Sequence, residues 1–337
     1  MSTLPVPSQQ DLQIDCIAEA DRIARWIVAT VARRLHRRGL VVAISGGIDS
    51  SVCAALAVRA LGAGKVHGLL MPERDSSGFS AQRGLQLAQH LGIEHEVFDI
   101  APALDALGCY RQRDEAIRRV FPAYGAQWKN KIVIAGGTQR GINFFKLVVA
   151  EPDGTLHEAR LPLREYLQIV AATNFKQRVR KTMDYFHADR LNYAVVGTPN
   201  RLEYDQGFFV KVGDGAADLK PIAHLYKTQV YAMARALGLP DEICNATPTT
   251  DTYTLAQGQD EFYFALPYAQ MDLALWSLNH GVPAAQLGQA LGIDAAHAQR
   301  VYDDIAAKRR AAAYLHAAAE TIEALRAPAQ PDTPGEP

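Results

Sequence analysis

Seven consecutive residues, Ser45-Gly46-Gly47-Ile48-Asp49-Ser50-Ser51, hold the densest chemistry in the chain. Two adjacent glycines remove the Cβ atoms that would keep backbone N–H groups from closing around a phosphate. Ser45, Ser50 and Ser51 add hydroxyl donors. The helical pattern that begins near Ser50 adds unpaired N–H groups and the positive end of a helix dipole. Such a segment suits an anion, either pyrophosphate or a nucleotide phosphate. It lacks the lysine of GxxxxGK[ST] and the spacing of GxGxxG, so Walker-type kinases and dinucleotide dehydrogenases lose ground. A bare strand-to-helix turn with Asp49 as a first-turn acid is the blander reading, and the full string placed directly after an apolar run weighs against it.

A loop of this kind must be held between a strand and a helix, and the flanking residues predict both. The run Leu40-Val41-Val42-Ala43-Ile44 reads as a strand, and a helical pattern follows through Leu61. Helical spacing also covers residues 11–38, 80–91 and 176–187, while residues 65–71, 95–100 and 193–197 read as strands. This alternation predicts a doubly wound α/β core around a mostly parallel sheet. Residues 143–163 differ: two apolar runs flank Glu151-Pro152-Asp153-Gly154, which predicts an inserted β-hairpin. From 268 to 325 the chain is rich in alanine and leucine at helical spacing, and residues 327–337 read as a disordered tail. The expected division is a main domain over 1–268 with an insertion at about 107–166, then a helical extension over 269–326.

The segment Val42 to Ser51 resembles the signature of the N-type ATP pyrophosphatases. Downstream, Gly197-Thr198-Pro199-Asn200-Arg201-Leu202-Glu203, Gly207 to Asp218, Pro221-Ile222 and Leu225-Tyr226-Lys227-Thr228-Gln229-Val230 resemble the ammonia-dependent NAD synthetase family. So do Asn174-Phe175-Lys176-Gln177-Arg178-Val179-Arg180, similar to that family's NxKxRxR helix, and Pro248-Thr249-Thr250-Asp251 with Asp260-Glu261. The resemblance implies a Rossmann-like sheet of the adenine nucleotide alpha hydrolase type. It implies that ATP and Mg²⁺ are used, with Asp49 and Glu203 as metal ligands, hard oxygen donors of the kind Mg²⁺ takes. Lys227 and Arg178 would join Asp49 in catalysis. Ser45, Gly46, Gly47, Ser50, Ser51, Thr198 and Thr249 would contact ATP or pyrophosphate, and Lys211 and Asp218 the carboxylate substrate. Phe208 and Phe209 fit either an aromatic wall or the core.

The reaction so implied is adenylation of the carboxylate of nicotinate adenine dinucleotide, followed by displacement of AMP by ammonia, with no protein nucleophile. Free ammonia, or ammonia from a separate partner, is expected, and a homodimer is implied. Related ligases acting on another carboxylate share the same loop. A tRNA-modifying adenylating enzyme also shares it, but would be expected to show a cysteine pair or a basic surface. Lysine plus arginine (35) balances aspartate plus glutamate (36), which argues against nucleic acid or an anionic membrane as partner. Cys16, Cys53, Cys109 and Cys244 form no CxxC pair, and no targeting or spanning segment is evident, so a cytoplasmic protein is expected. Three departures from the family pattern stand out: the insertion, Ala216 in place of a glycine, and the long C-terminus with Lys308-Arg309-Arg310.

Overall fold

The structure is a computed structural model, and it describes residues 5–76, 78–135, 144–246, 253–255 and 266–322. Its strands are β1 (Leu40–Ala43), β2 (Val66–Leu70), β3 (Glu94–Val97), β4 (Lys129–Ala135), β5 (Phe144–Ala150), β6 (Leu156–Arg160) and β7 (Ala194–Val195). Four of them form a parallel sheet in the order β3-β2-β1-β7, and a parallel bridge from Val196 to Leu219 carries the pairing one step further. Leu40, Val41 and Val42 are each 0% exposed, since β1 is an inner strand with both faces covered. Alternation along β1 sends Leu40 and Val42 into one core, beside Ile23, Ile27, Val52, Leu56 and Val230. Val41 faces the opposite core, with Leu69, Ile100, Leu104 and Tyr110. Helices therefore cover both faces, as the alternating pattern predicts.

The helix Ile48–Leu61 follows the glycine loop and is buried almost all round. Small side chains such as Ala54, Ala55 and Ala57 let it sit between the sheet, helix Cys16–Ala29 and helix Lys227–Ala236. The first helix is shorter than its periodicity predicts. Asp15 caps it through Ile17 and Ala18, it passes into a π-turn at Thr30–Arg34, and His36 turns the chain with φ +50°. The stretch read as residues 176–187 belongs to a much longer helix, Leu163–Leu191, closed by Asn192 in the left-handed conformation.

The predicted hairpin is present as β5 and β6, turning at Glu151 to Thr155. A third antiparallel strand, β4, pairs with β5 and is absent from the sequence reading. The inner residues Ile132, Leu147 and Val149 pack on Ile117 and Ile169, which fastens this small sheet to helices Cys109–Val120 and Leu163–Leu191. Helices Tyr268–Asn279, Ala284–Leu291 and Ala295–His316 form another core that includes Leu12, Leu202 and Tyr226. The expected tail at 327–337 lies outside the described residues. Among the described residues, no helix is long and apolar enough to cross a membrane, and all four cysteines are free thiols.

Candidate active site

The glycine loop leaves the carboxyl end of β1, where open α/β sheets place their ligands. Gly46 has φ +77°, and a Cβ there would lie 2.1 Å from the Ser80 carbonyl oxygen, so both backbone sign and space demand glycine. The loop braces itself. Gly47 N–H donates to Ser45 Oγ at 3.2 Å, while the Ser50 and Ser51 hydroxyls donate to the Gly47 carbonyl at 3.0 and 2.8 Å. Arg83 Nε donates to the Gly46 carbonyl at 3.2 Å. Gly46→Ala is expected to cost about 1–3 kcal/mol from the backbone strain alone, with the clash at Ser80 added, and urea unfolding measures it. An unchanged midpoint would contradict this account of the loop.

A cavity of about 1300 Å³ opens beside the loop, lined by Ser45, Gly47, Asp49 and Ser50 from this segment. Ser51 is fully buried and Gly46 is not on the wall, so these two shape the loop from behind. Across the cavity floor Asp49 meets Lys227 and Asn200. Lys227 Nζ donates to Asp49 Oδ2, and Asn200 Nδ2 donates to Asp49 Oδ1 at 3.0 Å. Asn200 also caps helix Arg201–Gln206 by accepting from Leu202 and Glu203, while the Glu203 carboxylate accepts from the Asn200 N–H at 3.2 Å. One reciprocal cap thus fixes Glu203 and steers Asp49. Lys227 is only 1% exposed; Asp272 holds the start of its helix by accepting from the Lys227 and Thr228 N–H groups at 3.1 and 2.7 Å.

The other expected site residues are distributed unevenly. Thr198, Arg178, Lys211, Phe208 and Phe209 line the cavity. Arg178 reaches the Lys211 carbonyl at 3.4 Å, and Lys211 Nζ donates to the Tyr314 carbonyl at 2.8 Å. Asp218 is not on the wall: it accepts from the Val195 N–H at 2.7 Å and from the Tyr185 hydroxyl at 3.4 Å, securing the end of β7. Thr249 lies outside the described residues. The profile of the NAD synthase family matches residues 19–121 and 139–311. The chain belongs to the NAD synthase family.

The chain is 56% identical over 317 residues to the NH(3)-dependent NAD(+) synthetase of Rhizobium meliloti (strain 1021), covering 94% of this chain and 95% of that protein. Its fold is similar to that of the NMN synthetase of Francisella tularensis, with a TM-score of 0.63 at 22% identity, covering 92% of this chain and 99% of that one. It is similar also to the NH3-dependent NAD synthetase of Campylobacter jejuni, at TM-score 0.60 and 21% identity, over 92% and 100% of the two chains.

Several wall residues of this member of the NAD synthase family escape sequence reasoning. Phe145 and Tyr166, stacked at 4.1 Å, bring the inserted sheet and the long helix to the cavity, and Tyr314 and Leu315 bring the C-terminal helix. Lys176, in a basic run that suggests a solvated face, is 1% exposed and pairs with Glu73 at 2.8 Å and Asp75 at 2.9 Å. Burial opposes the ionised form of Asp75, yet the charges of Lys176 and Arg113 hold its carboxyl down at about 2. The Asn200 cap had a local signal, an asparagine three residues before Glu203. The Asp272 cap had none.

Burial, and then the negative charge of Asp49, pushes the Glu203 carboxyl up to about 8. Burial pulls the Lys227 ammonium down, but Asp49 and Glu203 outweigh it and its pKa rises. A carboxyl raised on folding retains a proton that the unfolded chain has released. Its contribution to stability is present below the usual carboxylate range and is lost as pH rises through about 8. Denaturant unfolding without divalent cations should therefore show stability falling over that window, and Glu203→Gln should flatten the fall. Identical slopes in the two proteins would contradict this.

Proposed function

We propose that this chain uses ATP to adenylate the carboxylate of nicotinate adenine dinucleotide and then amidates it with ammonia, giving NAD, AMP and pyrophosphate. The observation that carries the reading is the junction of Asp49, Lys227 and Glu203 directly beside the Ser45 to Ser50 loop, at one end of a parallel sheet. The 56% identity to an NH(3)-dependent NAD(+) synthetase supports the same reading.

The N–H groups of Ile48, Asp49 and Ser50 precede the first helical bond, from Ser51 N–H to the Gly47 carbonyl, and have no carbonyl partner within the helix. Together with the helix dipole they bind the pyrophosphate portion of ATP. Lys227 neutralises charge on the phosphates, and its compact ammonium suits an ion that is bound and released at each turnover. Asp49 and Glu203 fit Mg²⁺: burial, with the charge of Asp49 added to it, displaces the Glu203 pKa upward, and a divalent cation held by these two residues would offset both. Bound there, Mg²⁺ supplies charge neutralisation as pyrophosphate leaves. Arg178, Lys211 and Thr198 position the reacting groups, and the rings of Phe208, Phe209, Phe145 and Tyr166 exclude water around them. Thr249 is assigned to the phosphate side, and a homodimer is the proposed assembly.

Because the carboxylate attacks the α-phosphorus before ammonia enters, the chain should exchange labelled pyrophosphate into ATP when nicotinate adenine dinucleotide is present and ammonium is absent. Exchange that requires ammonium, or that ignores the dinucleotide, would contradict the two-step order.

A further inference from the structure

His67 on β2 and His187 on the long helix are buried, 3% and 2% exposed, with rings stacked at 5.2 Å. Neither ring nitrogen of His67 has a hydrogen-bond partner, and neither does Nε2 of His187. A neutral imidazole carries one donor and one acceptor, and burying them unpaired is costly where an apolar side chain would pack without penalty. The register sets a carboxylate beside them. His67 pairs with Glu94 and Leu69 with Glu96, so Glu96 shares the face of His67, and its Oε2 lies 3.9 Å from His187 Nδ1. One ligand atom from each of His67, Glu96 and His187 falls within 4.8 Å of the others.

The geometry points to a transition-metal site of the Zn²⁺ class formed by His67, His187 and Glu96. Two imidazoles and one carboxylate are the nitrogen and oxygen donors Zn²⁺ accepts, leaving a fourth position for water, whereas the all-oxygen pair Asp49 and Glu203 suits Mg²⁺. The site is separate from the cavity: Leu69, Leu70 and Met71 reach the cavity from the far end of β2, and His187 follows Asp184, the last cavity residue of its helix. An ion here clamps the edge strand β3 and the long helix to β2, steadying the helix that presents Lys176, Arg178 and Arg180 to the cavity.

The charged groups facing the two imidazoles are Glu94, Glu96 and Arg190, with Asp184 acting on His187 from one turn earlier in its helix. Arg190 donates to His187 Nδ1 at 3.0 and 2.8 Å and lies 3.7 Å from Glu96, with a side chain 41% exposed. It occupies the position of a competing cation, and its exposed stem lets it swing aside as the ion binds. Arg190→Gln should therefore bind metal more tightly than the unaltered chain, an effect that loss of a merely structural contact would not produce.

The test strips the full chain with a chelator and titrates it with Zn²⁺, and separately with Co²⁺, in saturating Mg²⁺ to mask the carboxylates of the cavity. One Zn²⁺ per chain, a visible Co²⁺ absorption band and a raised Tm are expected. His187→Asn and Glu96→Gln should weaken binding roughly 100-fold or more, with turnover retained at saturating substrates. Should His187→Asn fail to fold, Glu96→Gln on the exposed edge strand and Arg190→Gln decide the matter. Absence of stoichiometric binding, or binding that Glu96→Gln and Arg190→Gln leave unchanged, overturns the proposal.

Discussion

Lys227→Met is expected to lower kcat/KM by about 1000-fold or more, the scale seen when a preorganised charge is removed from a water-excluded site. Methionine preserves most of the volume of a side chain that is 1% exposed, so the loss reads charge rather than packing. The ammonium is the only cation bonded to Asp49 among the described residues, and Asp49 and Glu203 in turn raise its pKa. Without it, the Asp49 carboxylate loses its compensating charge, and the Glu203 carboxyl loses the cation that restrains its upward shift. Breaking a buried pair by removing one partner costs about 3–5 kcal/mol; the Asp49 side chain is 16% exposed, which places the expected loss at the low end. Mg²⁺ should restore part of that stability but little of the turnover, since the phosphates would still lack the lysine. Urea unfolding with and without Mg²⁺, beside steady-state kinetics, separates the two effects. Turnover within tenfold of the unaltered chain would remove Lys227 from the mechanism.

Asp49→Asn is expected to reduce turnover by about 100- to 1000-fold; asparagine still meets Asn200 and keeps the first-turn position of its helix, so the chain should fold, at reduced stability because the buried Lys227 ammonium loses its partner. Two further readouts distinguish lost metal binding from mere distortion. The Mg²⁺ concentration for half-maximal activity should rise, since one of the two proposed hard oxygen ligands would be gone. The Glu203 carboxyl should titrate closer to the usual carboxylate range, since the charge of Asp49 is one cause of its elevation. The fall in stability with rising pH should then move to lower pH. An unchanged Mg²⁺ requirement would separate Asp49 from the ion.

What the sequence makes legible here is local chemistry. Gly46, Asp49 and Ser50 lie in one short string, and the apolar run from Leu40 places that string at a strand end, so phosphate loop and doubly wound sheet emerge together. Lys227 could be singled out only through a motif similar to that of a family, whereas Glu203 also follows Gly197-Thr198 at a strand end, where open α/β sheets put their sites. The strand β4 has little signal in the sequence, since Lys129, Asn130 and Lys131 make its first half polar; Asn130 is buried all the same, held to the Tyr124 hydroxyl at 2.8 Å and to Thr254. Tertiary pairing overrides strand propensity there. Asn200 steers Asp49 across 151 residues and Asp272 caps the Lys227 helix across 45, separations over which periodicity carries no information. Asp218 illustrates the converse. It lies in a motif expected to meet substrate, and the fold spends its carboxylate on the Val195 N–H. The cavity wall formed by Tyr314 and Phe145 depends on how the C-terminal helix and the inserted sheet dock, which no single segment encodes.

The central claim is tested most directly by incubating the purified chain with ATP, Mg²⁺, ammonium and nicotinate adenine dinucleotide and following AMP and NAD together by chromatography. Equimolar AMP and NAD, each dependent on all four components, is the predicted result. AMP without NAD, or no reaction from folded protein that binds ATP, would contradict it.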